Sequence, residues 1–168
     1  MQTIVPNLWF DTQAEEAAKF WVELFSNRIG AESRPKSDIT NVSRYPEDAN
    51  NKKAGDVLTV DFQLEGQRFT AINGGPEFTF DEAVSFLVTC ESQEEIDELW
   101  DKLVEGGGEH SVCGWLKDKY GLSWQIVPST MDEMLAAPDE EGKKRAFAAM
   151  MQMKKIDLAE LQRAYAGT

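Results

Sequence analysis

No stretch of the 168-residue chain approaches the roughly 20 consecutive apolar residues that cross a bilayer. The amino terminus, Met-Gln-Thr-Ile-Val-Pro, has no basic region followed by an apolar one. A cytoplasmic protein is expected. Basic residues are scarce as well: 17 Lys and Arg stand against 30 Asp and Glu, a net charge of -13. Phosphate backbones are held by clustered cations, so this balance argues against nucleic acid as a partner and disfavours an anionic membrane surface. Histidine is nearly absent. The one imidazole, His110, cannot build a two-histidine, one-carboxylate metal site. The two cysteines, Cys90 and Cys113, sit in apolar, strand-like contexts and are expected to be reduced, buried thiols. No glycine-rich loop joins a strand to a following helix; Gly106-Gly107-Gly108 comes after a helical stretch and reads as its end, not as a nucleotide or S-adenosylmethionine loop.

What is present is organised around residues Cys113 to Pro128, two apolar and aromatic arms on either side of Asp118-Lys119-Tyr120-Gly121. This is the pattern of a β-hairpin whose turn takes its positive φ at Gly121. Alternation along the second arm puts Ser123, Gln125 and Val127 on one face and Trp124 and Ile126 on the other, and a one-residue slip would exchange them. Trp124 is expected beneath a helix, with Gln125 on the opposite side.

From the amino terminus, Thr3 to Phe10 reads as a strand, tolerating Pro6 only at an edge or bulge. Thr12-Gln13-Ala14-Glu15 then reads as a capping box opening a helix with Ala14, Ala17, Ala18, Trp21, Leu24 and Phe25 on its buried face. Ala31 to Gly55 is polar and is expected to hold a strand fragment and a long loop, either a lid or plain surface. Asp56 to Leu64 and Gln67 to Ile72 form a hairpin. A second strand, Ala83 to Cys90, leads through Ser92-Gln93-Glu94-Glu95, again a capping box, into a helix with Ile96, Leu99, Trp100 and Leu103 on one face. Strand, helix and strands have then occurred twice. Glu15-Glu16 with Phe20-Trp21 matches Glu94-Glu95 with Leu99-Trp100, which sets Pro6 opposite Ser85; Gly66 to Ala71 matches Gly121 to Ile126, which sets Thr70 opposite Gln125. The expected organisation is one domain over 1–168, with repeat one at about 1–75, repeat two at about 82–129, and a helical tail over 130–168 that is too apolar to be free.

A βαβββ unit occurring twice and ending in D-x-x-G-x-x-x-Q-I is similar to the vicinal oxygen chelate superfamily, which includes glyoxalase I and extradiol dioxygenases. Four stretches resemble its PhnB-like branch, often labelled demethylubiquinone 3-methyltransferase: Phe69 to Pro76, Phe78 to Phe86, the hairpin Cys113 to Pro128, and Ala149 to Asp157. The resemblance implies an α+β fold in which two βαβββ modules form a curved mixed sheet around a central cleft. Metal-dependent members place ligands at four positions, which the repeat carries onto Pro6, Thr70, Ser85 and Gln125. None is imidazole, thiolate or carboxylate, so no metal and no other cofactor is expected.

Two functions stay open. One is a metal-free binding protein that holds a small organic ligand in the cleft, with Thr70, Ser85, Gln125, Trp9 and Trp115 as its contacts. The other is an enzyme acting on a small molecule, such as the quinone-type methyltransferase the label implies. Gln125, Ser85 and Thr70 either orient a ligand or hydrogen-bond one another in a closed core. Asp118 is expected to shape the hairpin. Relatives commonly pair, and a homodimer is expected here.

Overall fold

The computed structural model describes residues 2–49 and 51–168. It contains two βαβββ modules followed by three helices, an α+β architecture in which each module has its own four-stranded mixed sheet. The chain divides into two compact units at Phe80 and Asp81, within the segment that separates the two sequence repeats.

Module one runs β1 (Asn7–Phe10), α1 (Ala14–Asn27), β2 (Asp38–Arg44), β3 (Val57–Leu64) and β4 (Gln67–Asn73). Its strands lie in the order β1-β4-β3-β2, with β1 parallel to β4 and the other pairs antiparallel. Glu65 and Gly66 both have positive φ (48° and 83°), the conformation of a two-residue hairpin turn that matches strand twist. All six apolar residues expected on the face of α1 are buried. Trp21 stacks on Phe62 (5.8 Å between ring centroids) and Phe62 on Phe69 (5.3 Å), so the face of the sheet carrying Phe10, Phe62 and Phe69 is the one α1 covers.

Module one departs from expectation in three places. The Thr12 capping box does not form: Gln13 occupies the cap position without a side-chain bond, and the Ala14 N–H donates to Asn73 Oδ1 at 2.9 Å. A residue at the end of β4 thus fixes where α1 begins, a long-range substitute for a local cap. Strand β1 starts at Asn7, because Pro6 has no N–H for a ladder, although its carbonyl accepts from Thr70 N at 3.0 Å. The expected strand fragment is the full seven-residue β2, an edge strand whose mixed polarity hides its period. The loop after it is pinned: the buried Tyr45 hydroxyl donates to Asn73 O at 2.7 Å, and Tyr45 exchanges backbone bonds with Asp56 and Gly55.

Module two repeats the topology: β5 (Ser85–Cys90), α2 (Gln93–Lys102), β6 (Glu109–His110), β7 (Trp115–Lys117) and β8 (Ser123–Pro128), ordered β5-β8-β7-β6 with β5 parallel to β8. The central turn takes the expected form. Gly121 has φ 83° and donates to Asp118 O, while the buried Asp118 carboxylate accepts from Tyr120 N, Leu122 N and Trp124 Nε1 at 2.9, 3.1 and 3.0 Å. Ser92 caps α2 by accepting from Glu95 N, but the Glu95 carboxylate returns to Glu91 N, one residue before the cap. His110 belongs to the short edge strand β6, where its ring stacks on Trp100 (centroids 4.5 Å apart, planes 3° apart) and its Nε2 meets Trp100 O at 2.8 Å.

The register corrects one equivalence. Thr70 pairs with Asn7 and Gln125 with Leu87, so matching Thr70 to Gln125 also matches Asn7 to Leu87 and Val5, not Pro6, to Ser85. The cause is local. Three residues separate β1 from α1, whereas two separate β5 from α2, so the spacing that aligns the helices slips by one in the strands.

The tail forms α3 (Thr130–Ala136), α4 (Glu140–Met150) and α5 (Leu158–Ala166). Ala146, Ile156 and Leu161 make its buried centre, with Met131, Met134, Met150, Met153 and Tyr165 packed around them. Asp157 caps α5 as expected, accepting from Glu160 N at 2.8 Å. The segment before α5 is held to module two by Gln93, which donates to Ile156 O and accepts from Leu158 N, and by a 2.7 Å ion pair between Lys155 and Asp97. Among the described residues no helix is long and apolar enough to cross a membrane.

Candidate functional site

Side chains opposite one another across a ladder share a face. In module two His110, Leu116 and Trp124 lie in one such row, and His110 stacks on Trp100 of α2, so Trp124 points to the helix. Trp115, Gln125 and Leu87 form the next row on the other face, beside a row of Glu109, Lys117, Ser123 and Ser85. The expected facing of Trp124 and Gln125 is therefore the one observed. In module one Phe69 lies under α1, which places Thr70, Asp61, Asn7 and Trp9 on the opposite face.

All five residues expected to contact a ligand thus lie on the faces turned away from α1 and α2. In module two Gln125 Nε2 donates to Ser85 Oγ at 2.8 Å, and both side chains are half-buried. The pair is diagonal, since Ser85 stands directly across from Ser123. The amide Oε1 has no donor among the described residues, and the neighbouring Leu87 is 56% exposed. In module one Thr70 donates to Asp61 Oδ1 at 2.6 Å, and Asn41 donates to the other carboxylate oxygen at 3.3 Å. Trp9 is half-buried; its Nε1 donates to Gly75 O at 2.8 Å and its ring meets Phe78 edge-on at 5.1 Å. Gly74 is required there, because a Cβ on it would fall 2.3 Å from the indole.

Asp61 is the polar residue that sequence reasoning passed over. The alternation of Val57–Leu64 already put it with Thr59 and Gln63 on the face opposite Val60, Phe62 and Leu64, and an acid in the middle of a central strand was the signal. In module two the position across from Gln125 is Trp115, and the charge on that face lies one row away, at Lys117, which forms an ion pair with Glu82. The hydrogen bond to Lys117 holds the Glu82 carboxyl below the usual carboxylate range. The same contact, with the fields of Glu109 and Asp81 behind it, holds the Lys117 ammonium above the usual lysine range.

These residues do not fit a transition metal. Thr70 is committed to Asp61 and Ser85 to the Gln125 amide, the register substitutes Val5 for Pro6 at the remaining position, and none of the four is a good ligand. Among the described residues no three of His, Cys, Asp and Glu gather to hold an ion. Nor do the strand-to-helix turns fit S-adenosylmethionine or a nucleotide. Neither contains glycine, and the helix N-H groups at Ala14 and Glu95 are already taken by Asn73 and Ser92.

No curated protein is similar to the chain. Among solved structures, a PhnB protein from Bacillus cereus is 37% identical over 76% of this chain and all of its own, with a TM-score of 0.63. Protein PA1353 from Pseudomonas aeruginosa (17% identity, 76% and 98% coverage, TM-score 0.58) and an Arabidopsis thaliana gene product (15%, 75% and 98%, 0.51) share the fold. The family model described as 3-demethylubiquinone-9 3-methyltransferase matches residues 2–127, both modules but not the helical tail. With the duplicated βαβββ topology in place and 37% identity to a PhnB protein, this chain belongs to that PhnB-like family, a branch of the vicinal oxygen chelate superfamily.

Proposed function

We propose that the protein binds a small organic molecule, without a metal, on the sheet faces turned away from α1 and α2, and that it does so as a homodimer. The observation that carries this reading is the Gln125–Ser85 pair, a half-buried amide with an unengaged carbonyl oxygen on a face that also shows Trp115 and an exposed Leu87. A few polar groups set in apolar and aromatic surroundings are the usual make-up of a small-molecule site. Leu135 and Phe147, 56% and 57% exposed on the tail helices, supply apolar surface for a second copy.

The methyl transfer named in the family's description has less support. Transfer to a hydroxyl needs a base beside the acceptor, and the acids on module one's face are engaged: Asp61 accepts from Thr70 and Asn41, and Asp38 from Lys36 and Gln63. Ligand-induced changes in amide chemical shift test the binding reading. A metabolite extract should shift Ser85, Trp115 and Gln125; shifts confined to the surfaces of α1 and α2 would overturn it.

A further inference from the structure

One feature of module two is unexplained by the Ser85–Gln125 pair. Beside it a cavity of about 390 Å³ opens on the same face, within the range of about 300–1,000 Å³ typical of small-molecule sites. Val112, Cys113, Trp115 and Met151 form its apolar wall, Lys117 with Glu82 its charged rim, and Ser123 lines it from β8. Ser123 is fully buried, yet its Oγ has no hydrogen-bond partner among the described residues. A buried hydroxyl without a partner costs on the order of 1–3 kcal/mol, so it marks a place where a partner is missing.

The wall is also built at a local cost. Cys113 has φ 56°, a left-handed conformation that a side chain other than glycine adopts infrequently. It is held there by backbone bonds from Cys113 N to Met153 O and from Gly114 N to Lys154 O, both 2.8 Å. Its sulfur consequently lies 3.6 Å from Met150 O and 3.8 Å from Met151 Sδ, giving the cavity two polarizable sulfurs on one side. At the rim the Lys117 charge is already matched by Glu82, with Glu109 in the next position across the ladder. A further anion would meet those carboxylates, and among the described residues that line the cavity no Lys or Arg besides Lys117 offsets them.

We propose that this cavity receives the apolar, uncharged end of the ligand, a ring system carrying a single hydroxyl or carbonyl oxygen that hydrogen-bonds Ser123 Oγ. The assignment rests on the reading of this face as the ligand face, and it adds the ligand's class: neutral, largely apolar and ring-sized, with one oxygen at the Ser123 end. The sulfurs and Trp115 contact the ring.

Two probes of the same shape test it, 2-naphthol and naphthalene, which differ by the hydroxyl alone. Amide chemical shifts locate them, and the rate at which iodoacetamide alkylates Cys113 reports occupancy, because Cys90 is 1% exposed and does not compete. In the wild type 2-naphthol should shift Cys113, Trp115 and Ser123 and slow alkylation severalfold. Ser123→Ala should weaken 2-naphthol about tenfold while leaving naphthalene unchanged, and should not lower thermal stability, since it removes an unpaired buried group. Met151→Trp, which narrows the half-exposed side of the cavity, should weaken both probes. If the shifts centre on Ser85 and Gln125, and Ser123→Ala and Met151→Trp bind both probes like the wild type, the cavity assignment falls while the reading of the face stands. If neither probe shifts residues on this face at millimolar concentration, both fall.

Discussion

At Gln125 the alternation of one strand was enough to place the side chain, because Gly121 pins the turn and a buried opposite face punishes any slip. Asp118 explains why the pin holds. Its buried carboxylate accepts from two backbone donors of the turn and from Trp124, and removing it takes these three bonds away. Asp118→Ala should therefore cost about 3 kcal/mol in urea unfolding. A loss below about 1 kcal/mol would show that water takes its place. Gly74 is a second single-residue test. Alanine there collides with the Trp9 ring, breaks the bond to Gly75 O and should destabilise by about 1–3 kcal/mol, with a red shift of Trp9 emission. An unchanged spectrum would mean the ring sits elsewhere. Pro6 was misplaced for the opposite reason to Gln125: its position was counted through a βα turn whose length differs between the modules, and nothing in the residues announces one extra position.

Elements with a continuous apolar face were legible before their surroundings were known. The buried apolar residues of α1 are those its 3.6-residue spacing singled out, and those of α2 are too, except that Leu103 falls just past the helix end and Glu95 is buried beside them. Ends and edges were not. The cap of α1 comes from Asn73, a contact that sequence proximity cannot reveal, and β6 is two residues long, too short to have a period. The tail's last helix is attached through α2, and this attachment is sensitive to pH. The hydrogen bond from Lys155, followed by that from Gln93, lowers the Asp97 pKa from the ordinary value of 3.8. A carboxyl whose folded pKa is depressed contributes its stability above the unfolded value and loses it as pH falls through the folded value. Asp97→Asn should thus lower the melting temperature at neutral pH, and the gap from wild type should close as pH falls below 3.8. A gap that is constant down to pH 2 would show that the Asp97 charge does not contribute.

On the scale of the whole molecule, the duplication is the feature most visible in the sequence and most informative about function. Matching the Trp21 and Trp100 helices was enough to foresee two modules of one topology, confirmed by the identical strand orders. The duplication also set Thr70 opposite Gln125, and each of these lies on the sheet face turned away from its module's helix. The ligand's identity is not encoded in this way, because an apolar cavity selects by shape and a few hydrogen bonds, with no motif of fixed spacing. The fate of the exposed Leu135 and Phe147 is a question of assembly. Light scattering at micromolar concentration should return twice the 18.9 kDa chain mass, and a monomer mass would remove the homodimer from the proposal. The most direct test of the central claim is native mass spectrometry of freshly purified wild type and Gln125→Ala side by side. The wild type should carry a non-covalent small-molecule adduct whose occupancy drops about tenfold in the variant, the loss expected for one buried hydrogen-bonding partner. Equal occupancy in the two proteins, or a bare chain in both, would contradict it.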